Sequence, residues 1–240
     1  MIDFHSHFLP GIDDGSDSIE TSLAMLRAWQ EQGINDICAT PHFYAEQNNP
    51  ERFLARRNNA YKLVQEALAS QMPDYHPNIR LGAEVLFFDG ISRYEGLHDL
   101  CLEGTDLLLL EMPFRTWTSH MVEEVATIYP TTGIMPVAAH IERYLDQPRK
   151  LVKEFMKLNI FIQSNAEHFL DRRTSRQAIK MLKKGQLQFL GTDAHNLGHR
   201  KVNFGPALEI IDNALGSIFI DKLDMMQQEI IQDYTICNNY

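Results

Sequence analysis

The sequence predicts an α/β fold in which parallel strands alternate with helices. Seven short apolar runs occur along the 240 residues, and segments with helical spacing of apolar residues lie between them. This alternation is typical of a parallel sheet with helices packed outside it. Seven strands favour a barrel over an open sheet, although periodicity alone cannot separate the two. Because no linker or low-complexity segment interrupts the pattern, we expect one domain over residues 1–240.

The predicted strands are the short apolar runs. The leucine run at 107–110 is typical of a strand buried on both faces. Cys38 lies in another such run, where we expect a small core residue. The complete set comprises residues 1–5, 34–40, 79–86, 107–110, 135–139, 160–164 and 187–191.

The predicted helices begin and end at recognisable signals. Asp17 followed by Glu20 predicts a capped helix start, and Gly33 predicts its end. Pro148 is suited to the first turn of a later helix. The further helical segments are residues 51–70, 121–129, 148–158, 174–184, 206–215 and 218–231.

Composition limits the kinds of partner and compartment. The formal net charge is −10, from 32 acidic and 22 basic residues, which argues against nucleic-acid binding. We expect no membrane insertion and no signal peptide, because no apolar stretch is long enough and no basic segment precedes one. The three cysteines, Cys38, Cys101 and Cys237, form no CxxC pair. The sequence therefore predicts a cytoplasmic protein and leaves its oligomeric state open.

The chain opens MIDFHSHFLPGIDDG, with two histidines at the end of the first predicted strand. Side chains alternate along a strand, so His5 and His7 share a face and could bind one metal ion. They could equally be solvated residues at an exposed strand end. Asp13 and Asp14 could likewise serve only a turn, together with Gly15.

Residues of metal-binding type recur at the carboxyl ends of the predicted strands. In parallel barrels these ends converge on the active site. His42 could be merely a polar strand terminus, but Glu84 and Glu111 lie in or beside apolar runs, where an unpaired carboxylate is unfavourable. The recurrence itself favours a metal site. The candidate ligands are His5, His7, Asp14, His42, Glu84, Glu111, His140, Asp193 and His195.

The donor set constrains the metal. Five imidazoles and four carboxylates, with no thiolate, favour manganese, iron, zinc or magnesium. Nine donors exceed the needs of one ion and suit two or three. Three divalent ions together with Arg143 and Arg200 would outweigh four carboxylates, so the site would attract an anion such as phosphate.

Several segments carry a resemblance to a known family. HSH, PGIDDG, ATPH, EMPF, AHIER and TDAH resemble the motifs of the polymerase and histidinol phosphatase (PHP) superfamily. Within it, they are most similar to the bacterial manganese-dependent tyrosine phosphatases of capsular polysaccharide operons. The similarity extends from residue 2 to about residue 205. The resemblance implies a distorted barrel of seven β/α units.

The resemblance also implies how the site is organised. Arg143 and Arg200 match two family arginines, although Arg143 could instead form a surface ion pair with Glu142. Three divalent ions, with manganese the first choice, are implied. The first would be held by His5, His7, Glu84 and Asp193, the second by Glu84, Glu111 and His140, and the third by Asp14, His42 and His195.

The implied activity is hydrolysis of phosphotyrosine in a protein by metal-activated water, with His42 or His195 as a possible proton donor. No phosphocysteine is expected, because no Cys-x5-Arg loop is present: Phe43 and Tyr44, not arginine, stand five and six residues after Cys38. The implied partner is the tyrosine-rich tail of a membrane-bound autokinase that controls polysaccharide export. Five aromatic residues could clamp such a peptide or could simply pack in the core or rim. They are Phe8, Phe43, Tyr44, Phe114 and Trp117.

Two other functions remain open at this point. The first is hydrolysis of a small phosphate ester such as histidinol phosphate, or of a nucleic-acid end, by a related metallohydrolase. The second is a binding or scaffold role with a vestigial metal site. The complete ligand set argues against the second, because unfilled buried carboxylates are costly.

Overall fold

The computed structural model describes residues 1–236, so Cys237 lies outside the described residues. The strands are β1 Ile2–Asp3, β2 Asp36–Ala39, β3 His42–Phe43, β4 Asn78–Leu81, β5 Glu84–Leu86, β6 Leu107–Glu111, β7 Met135–Ala138, β8 Phe161–Asn165 and β9 Phe189–Gly191. The helices are α1 Ile19–Glu31, α2 Pro50–Gln71, α3 Ser119–Thr132, α4 Arg149–Phe155, α5 Glu167–Leu170, α6 Ser175–Lys183, α7 Phe204–Leu215 and α8 Ser217–Asp233. Three short 3₁₀ helices lie at Ile91–Arg93, His98–Leu100 and Ile141–Tyr144.

Eight of the nine strands lie at the seven predicted positions, and β3 lies beyond the predicted second strand. After β2 the chain breaks at Thr40 and Pro41, where proline supplies no N–H for the ladder, and β3 then begins at His42. The predicted third strand is divided into β4 and β5 at Gly82 and Ala83. Both breaks fall beside a candidate ligand, so they set the direction in which that ligand emerges.

All strand pairs are parallel, in the orders β1-β2-β4 and β3-β5-β6-β7-β8-β9. Backbone hydrogen bonds also join the first and last strand positions. The N–H of Phe4 donates to the carbonyl of Leu190 at 3.0 Å, and the N–H of Asp193 donates to that of His5 at 2.8 Å. The distorted (β/α)₇ barrel is thereby confirmed.

The helix signals are close to their predicted positions, with some corrections. Ser18, rather than Asp17, caps α1 by accepting the N–H of Thr21 at 3.2 Å. Helix α3 continues through Pro130, beyond its predicted end, because its apolar face packs against the barrel. Helix α4 ends three residues earlier than predicted, and α5 was not predicted.

Apolar side chains fill both faces of the sheet. On β6, Leu108 and Leu110 pack toward the helices, while Leu107 and Leu109 point into the barrel with residues of α8. Since side chains alternate along a strand, Glu111 follows Leu109 on the inner face. Among the helices of residues 1–236, none is long and apolar enough to cross a membrane.

Candidate metal centre

The nine predicted ligands converge at the carboxyl ends of the strands. Seven of them are buried, His42 is half-buried and Asp14 is exposed. His42 begins β3, Glu84 begins β5 and Glu111 ends β6. The other six follow the ends of β1, β7 and β9, and they are His5, His7, Asp14, His140, Asp193 and His195.

Glu84 lies at the centre of the group. Its Oε2 atom is 3.2 Å from the Nε2 atoms of both His5 and His7. The same oxygen is 2.9 Å from Nδ1 of His42, and the Oε1 atom is 2.9 Å from Nε2 of His140. One carboxylate therefore faces four imidazoles, which is the position of a ligand shared between ions.

A first set of donors comprises His5, His7, Glu84 and Asp193, whose ligand atoms all lie within 4.8 Å of one another. The Nε2 atoms of His5 and His7 are 3.0 Å apart. Oδ1 of Asp193 is 3.5 Å from each of these nitrogens. This set coincides with the one implied by the resemblance for the first ion.

A second set of donors lies around Glu111. Glu111 groups with His42 and Glu84 within the same 4.8 Å limit. Its Oε1 atom is also 3.5 Å from Nε2 of His140. The structure therefore brings together the three residues implied for the second ion, with His42 beside them.

A third set lies toward solvent and comprises His7, Asp14, His42 and His195. Oδ1 of Asp14 is 3.3 Å from Nε2 of His195 and 3.4 Å from Nε2 of His42. The three residues implied for the third ion are together here, and His7 stands between the first and third sets.

Several donor atoms in this centre have no hydrogen-bond partner although they are buried. They include Oε2 of Glu84, Nδ1 of His42 and Nε2 of His195. The first two are only 2.9 Å apart, but their angles do not allow a hydrogen bond. Unsatisfied buried polar atoms are rare, because each loses its interaction with water. Donors of this type, aimed at a common space, fit divalent cations.

The carboxylates of the centre raise the pKa values of two neighbouring histidines. Burial lowers the pKa of His7, but the charge and hydrogen bond of Asp13, with Glu84, raise it to about 10. Burial likewise opposes the charged form of His140, and Glu111 and Glu84 raise its pKa to about 9. Divalent ions bound there would supply positive charge beside the same carboxylates.

Asp13 is a supporting residue that the sequence interpretation treated only as part of a turn. Its Oδ2 atom accepts hydrogen bonds from Nδ1 of His7 at 2.7 Å and from the backbone N–H of His42 at 2.9 Å. Burial opposes its ionisation, but His7 lowers its pKa to about 2. Asp13 thereby turns Nε2 of His7 toward the ligand cluster. The sequence feature that could have indicated this role is the position of Asp13, next to the candidate ligand Asp14 and two residues before Gly15.

Strand β8 carries no predicted ligand, but it supplies further supporting residues. Oε1 of Gln163 accepts the backbone N–H of His140 at 2.6 Å. Its Nε2 atom donates to Oδ1 of Asn165 at 2.9 Å, and Nδ2 of Asn165 donates to Asp193 at 3.0 Å. The polar residues Gln163 and Asn165 in this buried strand could have indicated a supporting role, but the sequence-based prediction did not include them.

The backbone at two candidate ligands has the left-handed conformation. His140 has φ of 31° and Asp193 has φ of 53°, and they are the two non-glycine residues with positive φ among residues 1–236. Such conformations typically cost about 1–3 kcal/mol and cluster at functional sites. Close packing adds a second constraint, since a Cβ on Gly191 would lie 2.6 Å from Cβ of His5.

The two predicted arginines lie at the edge of the centre, and both contact Asp193. Arg143 contacts its Oδ2 atom, and Nη2 of Arg200 is 2.6 Å from its Oδ1 atom. Both guanidinium side chains are about one-third exposed (34%). Glu142 instead accepts hydrogen bonds from Ser164 and Asn165 of β8.

The five aromatic candidates divide into two groups. Phe8, Phe43 and Trp117 are buried in the core, so a direct clamping role for these three is wrong. All three belong to the hydrophobic core cluster. Tyr44 is half-buried and Phe114 is exposed, and both lie beside imidazoles of the centre.

Comparisons with known proteins agree with this architecture. Residues 1–232 match the family described as "Capsular polysaccharide synthesis, CpsB/CapC". The chain is 28% identical to tyrosine-protein phosphatase CpsB of Streptococcus pneumoniae, with 98% of this chain and 100% of that protein covered. It is 26% identical to tyrosine-protein phosphatase YwqE of Bacillus subtilis, with coverages of 98% and 93%.

A solved structure gives the same fold. It comes from work on YwqE of Bacillus subtilis and CpsB of Streptococcus pneumoniae, described as unique metal-dependent tyrosine phosphatases. The TM-score is 0.83 at 24% identity, and the superposition covers 98% of this chain and 96% of the other. The barrel and its strand order are thus shared along nearly the whole chain.

Proposed function

Because the chain belongs to the CpsB/CapC family of capsular polysaccharide synthesis, we propose that it is a metal-dependent protein-tyrosine phosphatase. The observation that carries this proposal is the cluster of nitrogen and oxygen donors around Glu84, with two arginines at its edge. Such a centre binds a phosphoryl group and delivers water to it. The names of the relatives support phosphotyrosine as the ester.

Three divalent ions, with manganese preferred, are proposed for the centre. The donors fit this number because Glu84 is shared and because His7 and His42 each stand between two sets. Ions bound there would supply a water activated near neutral pH and a positive field for the phosphoryl oxygens. Iron, zinc and magnesium are the alternatives, since the donor set contains no sulfur.

Arg143 and Arg200 are proposed to hold the phosphoryl oxygens. A guanidinium presents a planar fork that matches two oxygens of a phosphate. Both arginines are partly exposed on one side of the centre, so their forks are accessible to a substrate that enters the mouth. As charge shifts in the transition state, such fixed donors stabilise it without reorganisation.

The departing tyrosinate is a fairly good leaving group, so a strong general acid is not essential. His42 and His195 remain the proposed proton donors. His42 is the more accessible of the two, with its side chain 10% exposed against 1% for His195. Proton delivery from the solvent side therefore favours His42.

The proposed physiological substrate is the tyrosine-rich tail of a membrane-bound autokinase that controls polysaccharide export, and the proposed location is the cytoplasm. The capsular polysaccharide family supports this assignment. Dephosphorylation of the autokinase encoded in the same operon, measured with a phosphotyrosine antibody, tests it. An autokinase tail that stays phosphorylated at equal enzyme concentration would exclude it as the substrate.

The activity itself is tested with three substrates: a phosphotyrosine peptide, histidinol phosphate and single-stranded DNA. We expect turnover of the peptide, its loss after exhaustive chelation and its return with Mn²⁺. Preferential hydrolysis of histidinol phosphate or DNA would replace the proposal with the related hydrolase. Stoichiometric metal without hydrolysis of any of the three would replace it with the scaffold.

A further inference from the structure

Two aromatic rings pack against imidazoles that contact the Glu84 carboxylate. The ring of Tyr44 stacks on that of His42, with centroids 5.3 Å apart and planes at 21°. The ring of Phe114 lies nearly parallel to that of His140, at 6.3 Å and 14°. Both imidazoles are 2.9 Å from Glu84, so each aromatic ring packs on an imidazole that contacts the same carboxylate.

The exposure of Phe114 distinguishes it from the core aromatics. Its side chain is 61% exposed, although phenylalanine loses favourable free energy when its ring faces water. The ring is held in place at its inner edge, where it contacts Tyr144 with centroids 5.7 Å apart. A fixed ring with a free face is suited to stacking against a ligand.

Space for a ligand group adjoins the ring of Tyr44. A cavity of about 240 Å³ lies beside Tyr44, between the loops that follow β3 and β6. Pro113 and Arg115, the neighbours of Phe114 in sequence, line its other side. Arg143 and Arg200 both contact Asp193, and Arg143 lies three residues after His140, the imidazole that Phe114 faces. An ester whose phosphoryl group meets Arg143 can therefore reach the Phe114 ring with its leaving group.

We propose that Tyr44 and Phe114 form an aryl subsite that binds the phenyl ring of the substrate, a deduction that rests on the proposed phosphatase activity. The ring of phosphotyrosine is bonded directly to the ester oxygen, so it must lie next to the phosphoryl position. Aromatic pairs prefer stacked or edge-to-face contacts, and both are available here. An alkyl ester such as phosphoserine has no ring to place there, so the subsite selects aryl phosphates.

The test compares two non-hydrolysable ligands, phenylphosphonate and methylphosphonate, which differ only in the ring. Binding to the manganese-loaded protein is measured by calorimetry for the wild type, Phe114→Ala and Tyr44→Leu. Leu197→Ala is the matched control, because Leu197 is another exposed apolar residue, in the loop that precedes Arg200. Metal content and the hydrolysis of a phosphotyrosine peptide are measured on the same samples.

We expect the wild type to bind phenylphosphonate more tightly than methylphosphonate. Each subsite variant should weaken phenylphosphonate binding about 2- to 10-fold and leave methylphosphonate binding and metal content unchanged. The control should alter neither ligand. Phe114→Ala is the more decisive variant, because its ring is exposed and its removal leaves no buried cavity.

The failure of this subsite and that of the phosphatase activity give different results. A wild type that hydrolyses the peptide but binds both phosphonates equally would overturn the subsite alone. Equal weakening of both ligands in Phe114→Ala would also overturn it, because the ring would then act on the phosphoryl position. A wild type that neither hydrolyses the peptide nor binds methylphosphonate would overturn both proposals.

Discussion

The two ends of the barrel interior are built from the same strands but differ in almost every physical respect. We call the lower end the floor and the ligand-bearing upper end the mouth. On β6, Leu107 and Leu109 belong to the floor, whereas Glu111 belongs to the mouth. The floor comprises Ile2, Phe4, Cys38, Leu102, Leu107, Leu109, Met135, Val137, Ala139, Phe189, Ile230 and Ile231.

This difference separates the source of stability from the source of activity. The floor is a cluster of buried apolar side chains, so it contributes favourable free energy of folding. The mouth contains buried carboxylates, unpartnered donor atoms and two proposed ligands with positive φ, all of which oppose folding. A barrel tolerates such a mouth because the floor and the outer helices stabilise the strands below it.

The largest expected effect comes from two separate substitutions, one at each end of β6. Glu111→Gln should lower turnover at least about 1000-fold, more than the loss of one hydrogen-bond donor, because it removes a proposed ligand charge. Leu107→Ala should instead lower the free energy of unfolding by about 2–5 kcal/mol through the cavity it leaves. For each variant, urea unfolding measures the free energy of unfolding and steady-state kinetics measure turnover.

The division between mouth and floor would be wrong if these effects were exchanged. Near-normal turnover with full metal content in Glu111→Gln would remove Glu111 from the proposed ligands. A comparable loss of turnover in folded Leu107→Ala would show that the floor controls the geometry of the mouth.

The next effect concerns Arg143 and tests phosphoryl recognition within the mouth. Arg143→Lys keeps the charge but loses the planar fork, so turnover should fall about 100- to 1000-fold while metal content stays normal. Inhibition by vanadate should weaken in parallel. Kinetics on a phosphotyrosine peptide, with elemental analysis of the same samples, provide the measurement. Arg200→Lys should behave similarly, and unchanged kinetics would leave phosphoryl recognition to the metals.

A smaller effect is expected where backbone packing positions a ligand. In Gly191→Ala the new Cβ would lie 2.6 Å from Cβ of His5, so His5 must shift. Manganese affinity should fall about 10- to 100-fold, as it does when a supporting residue is lost. Gly198→Ala is the control. Its added Cβ would meet no atom closer than Oδ1 of Asn196, at 3.5 Å, which is an ordinary van der Waals contact. Equal affinity in both variants would show that His5 tolerates the displacement.

The smallest effect is a pH dependence of stability beneath the mouth. His168 is buried, its Nδ1 atom is 2.8 Å from Oγ of Ser164, and its Nε2 atom has no partner. Burial lowers its pKa from 6.5 to about 4. Between these pH values the unfolded chain binds a proton that the folded protein does not, so stability decreases as the pH falls.

His168→Gln removes this titration. The free energy of unfolding of the metal-free variant, measured with urea, should therefore fall less steeply from pH 6.5 to 4 than that of the wild type. Glu142, whose pKa burial raises, lies 4.0 Å from Nδ1 of His168, so the same pair of slopes is measured in a Glu142→Gln background. Parallel slopes would show that His168 is not the group responsible.

The sequence by itself was sufficient for the strand positions and the inventory of candidate ligands. Apolar runs of strand length mark the barrel because each strand is buried, and the ligand types follow those runs because parallel strands end at one edge. The proposed ligand roles remain predictions, but their convergence on Glu84 follows from that topology. Helix boundaries were less accurate, since packing can extend a helix through Pro130 or shorten it after Phe155.

Only the tertiary structure decided which atoms face one another. That Asp13 orients His7, and that Gln163 and Asn165 support His140 and Asp193, depends on contacts between residues far apart in sequence. The same holds for the aromatic residues, among which Phe43 is buried and Phe114 is exposed. Local periodicity reveals which face of an element a side chain occupies, but the neighbour on that face is set by how the elements pack.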